Sequence, residues 1–180
     1  MPRGVPVSLI RHAEPHARIM AWLGTLVGAT PGVHFGDNAT VRLDLDNETQ
    51  PDAVLFWSAE QGGQARISDD GYVEGPPELV AEVAASSVSI DLHAKLRVYR
   101  RNAIQEYLVW RVQDQAIDWF ELCEGDYQPL IADAAGMLRS LRFPDLWLDT
   151  AALLRGDLAA VLQTLHSGLH ARVGNVAPDA

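Results

Sequence analysis

The sequence predicts an α/β fold, and three features of its patterning carry that prediction. An early stretch has helical apolar spacing. Leu79–Ala84 is a short, almost continuously apolar run, as expected of a central strand covered on both faces, and a further helix and a series of strands follow it.

Taken in order, Ala13, Ala17, Met20, Ala21, Leu23, Leu26 and Val27 recur at roughly helical spacing and predict a first helix over 13–27 that stops at Gly28. Val41, Leu43 and Leu45 alternate with Arg42, Asp44 and Asp46, the period-two pattern of a strand with one exposed face. Residues 47–51 read as a turn-like break before an apolar strand over 53–57. The polar, glycine-containing segment 58–75 reads as a loop or flexible hairpin closed by Pro76-Pro77. After the central strand, Ser86-Ser87 offer capping hydroxyls to a helix over 90–102, with Leu92, Leu96 and Tyr99 along one side. Residues 106–112, 116–122 and 127–131 read as consecutive strands joined at Gln113-Asp114-Gln115 and Glu124-Gly125-Asp126. Asp149 is a good N-cap for a helix starting at Thr150, and a last helical stretch covers 158–169.

At 180 residues, 48% of them hydrophobic, the chain can bury a sizeable core and is expected to form one domain over 1–170 with a disordered tail over 171–180. Cys123 is the single cysteine, which excludes an intrachain disulfide and a cysteine-based zinc site. No apolar stretch reaches the roughly 18–20 residues that cross a bilayer, and residues 1–7 lack the pattern of a signal peptide. A cytoplasmic protein with no membrane association is the expectation. A net charge of −10 and a pI near 4.9 argue against a general nucleic-acid binder, whose affinity would come from Lys and Arg releasing counterions. The densest basic cluster, Lys95, Arg97, Arg100 and Arg101, is therefore where a phosphate-facing surface is expected.

Two acids stand where acids need a reason. Asp52 abuts the apolar run 53–57, and Glu82 lies inside Leu79–Ala84. Carboxylates on neighbouring strands, with Lys95 on the helix that follows, suggest a metal-dependent phosphodiesterase site. Mg²⁺ is commonly held by one or two carboxylates plus substrate oxygens. Asp52 and Glu82 would be the ligands, the Val83 carbonyl a third oxygen, and Lys95 the group that orients water or neutralises charge on the phosphate. Asp91, Lys95 and Tyr99 fall at i, i+4 and i+8 and share a helix face, which makes Asp91 and Tyr99 candidates for the surroundings of the metal. Glu14 is a further candidate, an acid from the first helix within reach of the metal or its ligands.

Each residue also has a plainer reading. Asp91 and Lys95 fit an exposed ion pair, Asp52 a Pro-Asp turn, and Glu82 an edge-strand residue facing water. His12, Glu14 and His16 fit polar surface or cap roles at a helix start, since no spacing here makes a zinc motif. There is no Gly-x-Ser-x-Gly elbow and no phosphate-cradling glycine loop, which disfavours acyl transfer and nucleotide-triphosphate chemistry.

The segments Pro51-Asp52-Ala53-Val54, Glu78-Leu79-Val80-Ala81-Glu82-Val83, Asp91-Leu92-His93-Ala94-Lys95 and Gln105-Glu106-Tyr107-Leu108-Val109, in this order, resemble the Uma-two family of restriction-endonuclease-like proteins in the PD-(D/E)XK nuclease superfamily. The resemblance covers about residues 13–155. It implies a restriction-endonuclease-like core with a mixed β-sheet flanked by α-helices, a Mg²⁺ or Mn²⁺ site at Asp52 and Glu82, DNA as the partner, and homodimers. The superfamily's usual lysine, two residues after the acid, is replaced here by Ala84, and the family pattern puts it on the helix, at Lys95. Ala85-Ser86-Ser87 stands where the family tends to have Ser-Pro-Ser, and the neighbourhood of Trp110-Arg111 lacks a usual aspartate. Two functions follow as expectations: a metal-dependent endonuclease acting on DNA, or a catalytically inactive dimeric binding or regulatory protein on the same scaffold.

Overall fold

The computed structural model describes residues 7–44, 47–84 and 90–174, the side chains of 90–92 and 172–174 excepted. A π-helical turn, Leu9–Ala13, runs into α1, Glu14–Ala29. The helix passes through the expected stop at Gly28 and ends at Thr30, where the backbone becomes extended. Then come β1 (Val33–Asp37), β2 (Val41–Asp44), β3 (Asn47–Thr49) and β4 (Ala53–Trp57). The expected turn over 47–51 is thus partly a strand, because β3 pairs with β2 as an antiparallel neighbour. The 58–75 segment holds a short 3₁₀ turn and the small hairpin β5 (Arg66–Ile67) and β6 (Val73–Glu74). The rest of the chain comprises β7 (Leu79–Ala84), α2 (Ile90–Arg101), β8 (Glu106–Arg111), β9 (Ala116–Cys123), β10 (Asp126–Pro129), β11 (Met137–Arg139), β12 (Trp147–Asp149), α3 (Thr150–Leu154) and α4 (Leu158–Gly174). Helix α4 continues past the boundary expected at residue 170, and residues 175–180 of the expected tail lie outside the described residues, as do Ser86 and Ser87.

Six strands form the main sheet in the order β1-β4-β7-β8-β9-β10. It is mixed: β7 and β8 are parallel, and the other neighbours are antiparallel. The parallel pair needs a crossover, which α2 supplies. Glu124 and Gly125, with φ of 49° and 87°, make the tight turn between β9 and β10, a conformation that glycine adopts without the clash a Cβ brings. Strands β3-β2-β6-β5 form a second sheet, and β11 pairs with β12.

Both faces of the main sheet are covered, which is why its central strands read as apolar runs rather than alternating ones. Leu79, Ala81 and Val83 of β7 join Ile19, Trp22, Leu23 and Leu26 of α1 and Val161 and Leu165 of α4 in one core. Val80 lies in the other core, with Tyr99 of α2, Tyr107 and Val109 of β8, and Val41 and Leu43 of β2. Asp149 accepts the Ala152 N–H at 2.8 Å and caps α3 as its sequence position predicts.

Candidate active site

Strand register brings the two acids together. Ala53 pairs with Ala81 and Val54 with Val80 in the antiparallel β4–β7 ladder, so one step beyond the last pair Asp52 comes opposite Glu82. Asp52 sits where the chain enters β4 and is tied to β7 directly: its Oδ2 accepts the Val83 N–H at 2.7 Å. Glu82 is only 4% exposed in the middle of the sheet, which corrects the reading of it as an edge residue facing water.

Helix α2 closes over Glu82 from the second core. Lys95 Nζ lies 2.9 Å from Glu82 Oε1, and the Tyr99 hydroxyl donates to the same oxygen at 2.7 Å. The i, i+4 spacing of Lys95 and Tyr99 along the helix is what lets both reach one carboxylate. Lys95 thus pairs with the buried acid, although its plainer reading made it the surface partner of Asp91. The Asp91 side chain itself lies outside the described residues. Burial holds the Glu82 carboxyl above its usual range, with Asp52's charge adding to the rise, against the opposing pull of Lys95 and the Tyr99 hydrogen bond. Tyr99 is itself fully buried, and desolvation together with Glu82's charge pushes its phenol far up, so it serves as a hydrogen-bond donor.

Two residues assigned to surface or cap roles are also here. His12, on the π-helical turn, places Nδ1 3.1 Å from the Val83 carbonyl and Nε2 3.6 Å from Asp52 Oδ1. His16, one turn on, donates through Nε2 to the Asp52 carbonyl at 2.9 Å and stands 3.2 Å from Asp37 Oδ1. The two rings stack with centroids 5.6 Å apart. Glu14, between them in sequence, pairs instead with Arg18 at 2.7 Å, with about half of its side chain in solvent. The signal that could have found the histidines was their i, i+4 spacing, which presents two rings on one helical face.

The donor set suits a hard cation. Two carboxylates and the Val83 carbonyl are the oxygen type that Mg²⁺ and Mn²⁺ take. Among the described residues no three His, Cys, Asp or Glu side chains converge closely enough to cage a metal by themselves. A Mg²⁺-type centre needs only one or two carboxylates and completes its shell with water and substrate. A concavity of about 500 Å³ lies elsewhere, lined by residues of β9, β10 and β11 such as Glu121, Gln128 and Met137, and includes none of these groups.

The Uma2 family, described as "Putative restriction endonuclease", matches residues 4–151. The chain belongs to the Uma2 family. The fold agrees: a crystal structure of "a putative nuclease belonging to DUF820" from Anabaena variabilis superposes with a TM-score of 0.64, at 12% identity, over 86% of this chain and 85% of that one. The restriction-endonuclease-like α/β architecture, with mixed sheets flanked by helices, is therefore that of the Uma2 chain described here. No curated protein matches it. No helix among its described residues is long and apolar enough to cross a membrane.

Proposed function

We propose that this Uma2 protein is a metal-dependent endonuclease that hydrolyses phosphodiester bonds in DNA, with Asp52, Glu82 and the Val83 carbonyl holding Mg²⁺ or Mn²⁺. The observation that carries the reading is the meeting of Asp52, Glu82 and Lys95 from three separate elements around one buried carboxylate. Membership of a family described as "Putative restriction endonuclease" supports DNA as the substrate class. The homodimer expected from the resemblance belongs to the same proposal.

When bound, the cation would supply Lewis acidity toward the phosphate and make a coordinated water more acidic. The protein's own groups do the rest. Asp52 is held in place by the Val83 N–H and, through its backbone carbonyl, by His16. Tyr99 fixes the rotamer of Glu82. Lys95, whose side chain is 39% exposed, reaches from Glu82 to the surface and can meet an incoming phosphate, orienting the attacking water and neutralising charge as it grows on the phosphate oxygens. The water oxygen adds to phosphorus and an ester P–O bond breaks, leaving a phosphate monoester and a free hydroxyl.

The net charge of −10 favours the second reading, a binding or regulatory protein that keeps the scaffold. Within α2, Arg100 pairs with Asp126 and Arg101 lies 3.9 Å from Asp44, so much of the basic cluster is already neutralised, while Arg97 is exposed. Cleavage of supercoiled plasmid with Mn²⁺ or Mg²⁺ separates the two readings. The endonuclease reading expects metal-dependent nicking that falls by about 100-fold or more in Lys95→Ala, the scale of losing one preorganised electrostatic group. Wild-type protein that leaves DNA intact with both metals would overturn the endonuclease reading.

A further inference from the structure

The main sheet has two edges, and they are finished differently. Strand β10 is short, carries Asp126 paired with Arg100, and ends in Pro129, which has no N–H to offer. Charge and proline are common means of closing a sheet edge to further pairing. Strand β1 has neither lysine nor proline, keeps an unbroken register with β4, and has no strand on its outer side among the described residues. In the middle of it stands Phe35, beside Gly24 of α1 and 41% exposed. Its acid, Asp37, lies at the end of the strand and faces His16.

The hydrogen bonds at the ends of β1 show which way its backbone groups turn. Asn38 N–H donates to the Asp52 carbonyl at 3.1 Å, and Ser58 N–H to the Gly32 carbonyl at 2.7 Å, both continuing the β1–β4 register. Antiparallel bonds alternate along a strand, so His34 and Gly36 also turn to β4, while Val33, Phe35 and Asp37 turn outward. The Val33 N–H is taken by the Thr30 carbonyl. What remains is symmetric about Phe35. In an antiparallel pair centred there, each Phe35 N–H meets the carbonyl of Phe35 of the partner subunit, and each Asp37 N–H that of Val33 of the partner subunit. His34, stacked on Phe56, comes opposite Gly36 of the partner subunit, which presents no side chain to it. The two Asp37 carboxylates fall about 14 Å apart along the strands, so like charges do not meet.

We propose that β1 pairs antiparallel with β1 of a second copy about a two-fold axis at Phe35, joining the two main sheets into one. The proposal names the interface of the homodimer included in the proposed function and rests on that dimer, not on the metal. A two-fold contact uses the same patch on both subunits, which a row of outward groups symmetric about one residue supplies. The contact also reaches the candidate site. Pairing fixes the backbone of Asp37, whose carboxylate stands 3.2 Å from His16 Nε2, and that nitrogen holds the Asp52 carbonyl.

Sedimentation equilibrium of the full chain and cross-linking of Phe35→Cys test it, the latter combined with Cys123→Ser so that position 35 carries the single thiol. The proposal expects a wild-type dimer, and expects a short bis-maleimide to join two Phe35→Cys copies, since opposite Cα atoms of a hydrogen-bonded pair lie about 5.5 Å apart. Phe35→Lys sets like charges against each other on the axis and removes the ring pair. It is expected to weaken the dimer about tenfold or more, with the far-ultraviolet circular dichroism of wild type. A wild-type dimer that Phe35→Cys does not link overturns the proposal and leaves the homodimer to another face. A wild-type monomer overturns both the proposal and the homodimer, with the metal-site reading untouched.

Discussion

Glu82 and Glu106 are buried glutamates on adjacent parallel strands, and their surroundings differ in kind. Glu106 is fully buried on the α1 face of the sheet, and neutral donors surround it. The Leu141 and Arg142 N–H groups donate at 2.7 and 3.0 Å, the Ser140 hydroxyl at 2.8 Å, and the Trp119 indole at 3.2 Å. Glu82, on the other face, is met by Lys95 and Tyr99 on a single oxygen and has Asp52 for a neighbour. Saturation by backbone and neutral groups marks a carboxylate that fastens a loop. A mobile cation plus a second acid marks one kept available for exchange, since a lysine can leave when a metal or phosphate arrives. Glu78 falls with Glu106: it accepts the N–H groups of Trp57 and Gln64 at 3.0 and 2.9 Å and pins the loop after β4.

The largest expected effect lies on the structural side of this contrast. In Glu106→Gln, the carboxamide NH₂ must face one of the four donors, leaving buried polar groups opposed. We expect a loss of about 3 kcal/mol, read by urea unfolding, or a melting point about 6–12 °C lower. A variant within about 1 kcal/mol of wild type would break the distinction, because it would show that the donors around Glu106 relax as easily as those around Glu82.

How much of this was legible beforehand depends on where the information lay. Asp52 and Glu82 could be read because each is a charge set against a local apolar pattern, and local pattern is what a sequence displays; Lys95 was read from its place on the helix that follows. The alternation within 41–44 and the run in β7 were legible for the same reason, while Leu45 and Asp46 lie outside the described residues. His12 was not, since its meaning comes from Val83, which is 71 residues away and meets it only after α1 packs on the sheet. Strand β1 was hidden by its composition: Val33 is buried while Gly36 and Asp37 interrupt any apolar period. The role of Glu106 was hidden because the loop it binds, 140–143, follows three more strands. Family resemblance pointed to Asp52, Glu82 and Lys95 through residue order, but it offered nothing about the histidines.

Tyr99→Phe probes the other side at smaller amplitude. The phenol gives Glu82 a buried hydrogen bond of 2.7 Å, and its removal is expected to cost about 1.5–2 kcal/mol, as for a bond to a charged acceptor. It should also push Glu82's pKa further upward, since one of the groups opposing that rise is gone. Equal unfolding free energies for the variant and wild type would mean that Lys95 alone holds this carboxylate.

Glu82→Gln should have the smallest effect and the opposite sign. The folded-state carboxyl lies above its ordinary value of 4.5 because burial disfavours its charge. Folded protein therefore keeps this proton to a higher pH than the unfolded chain does. The stability so contributed is whole below 4.5 and is lost as pH rises through the folded-state value. Glutamine has no proton to lose, and its carbonyl can still accept from Tyr99, while Lys95, already partly in solvent, returns to water at little cost. With metal chelated, the variant should match wild type in acid and melt higher at neutral pH. Adding Mn²⁺ should reverse the order, because a ligand that binds only the native state raises the wild-type midpoint and leaves the variant's in place. A variant that is less stable than wild type in chelator at neutral pH would place Glu82 with Glu106, as a fastening rather than a reactive group.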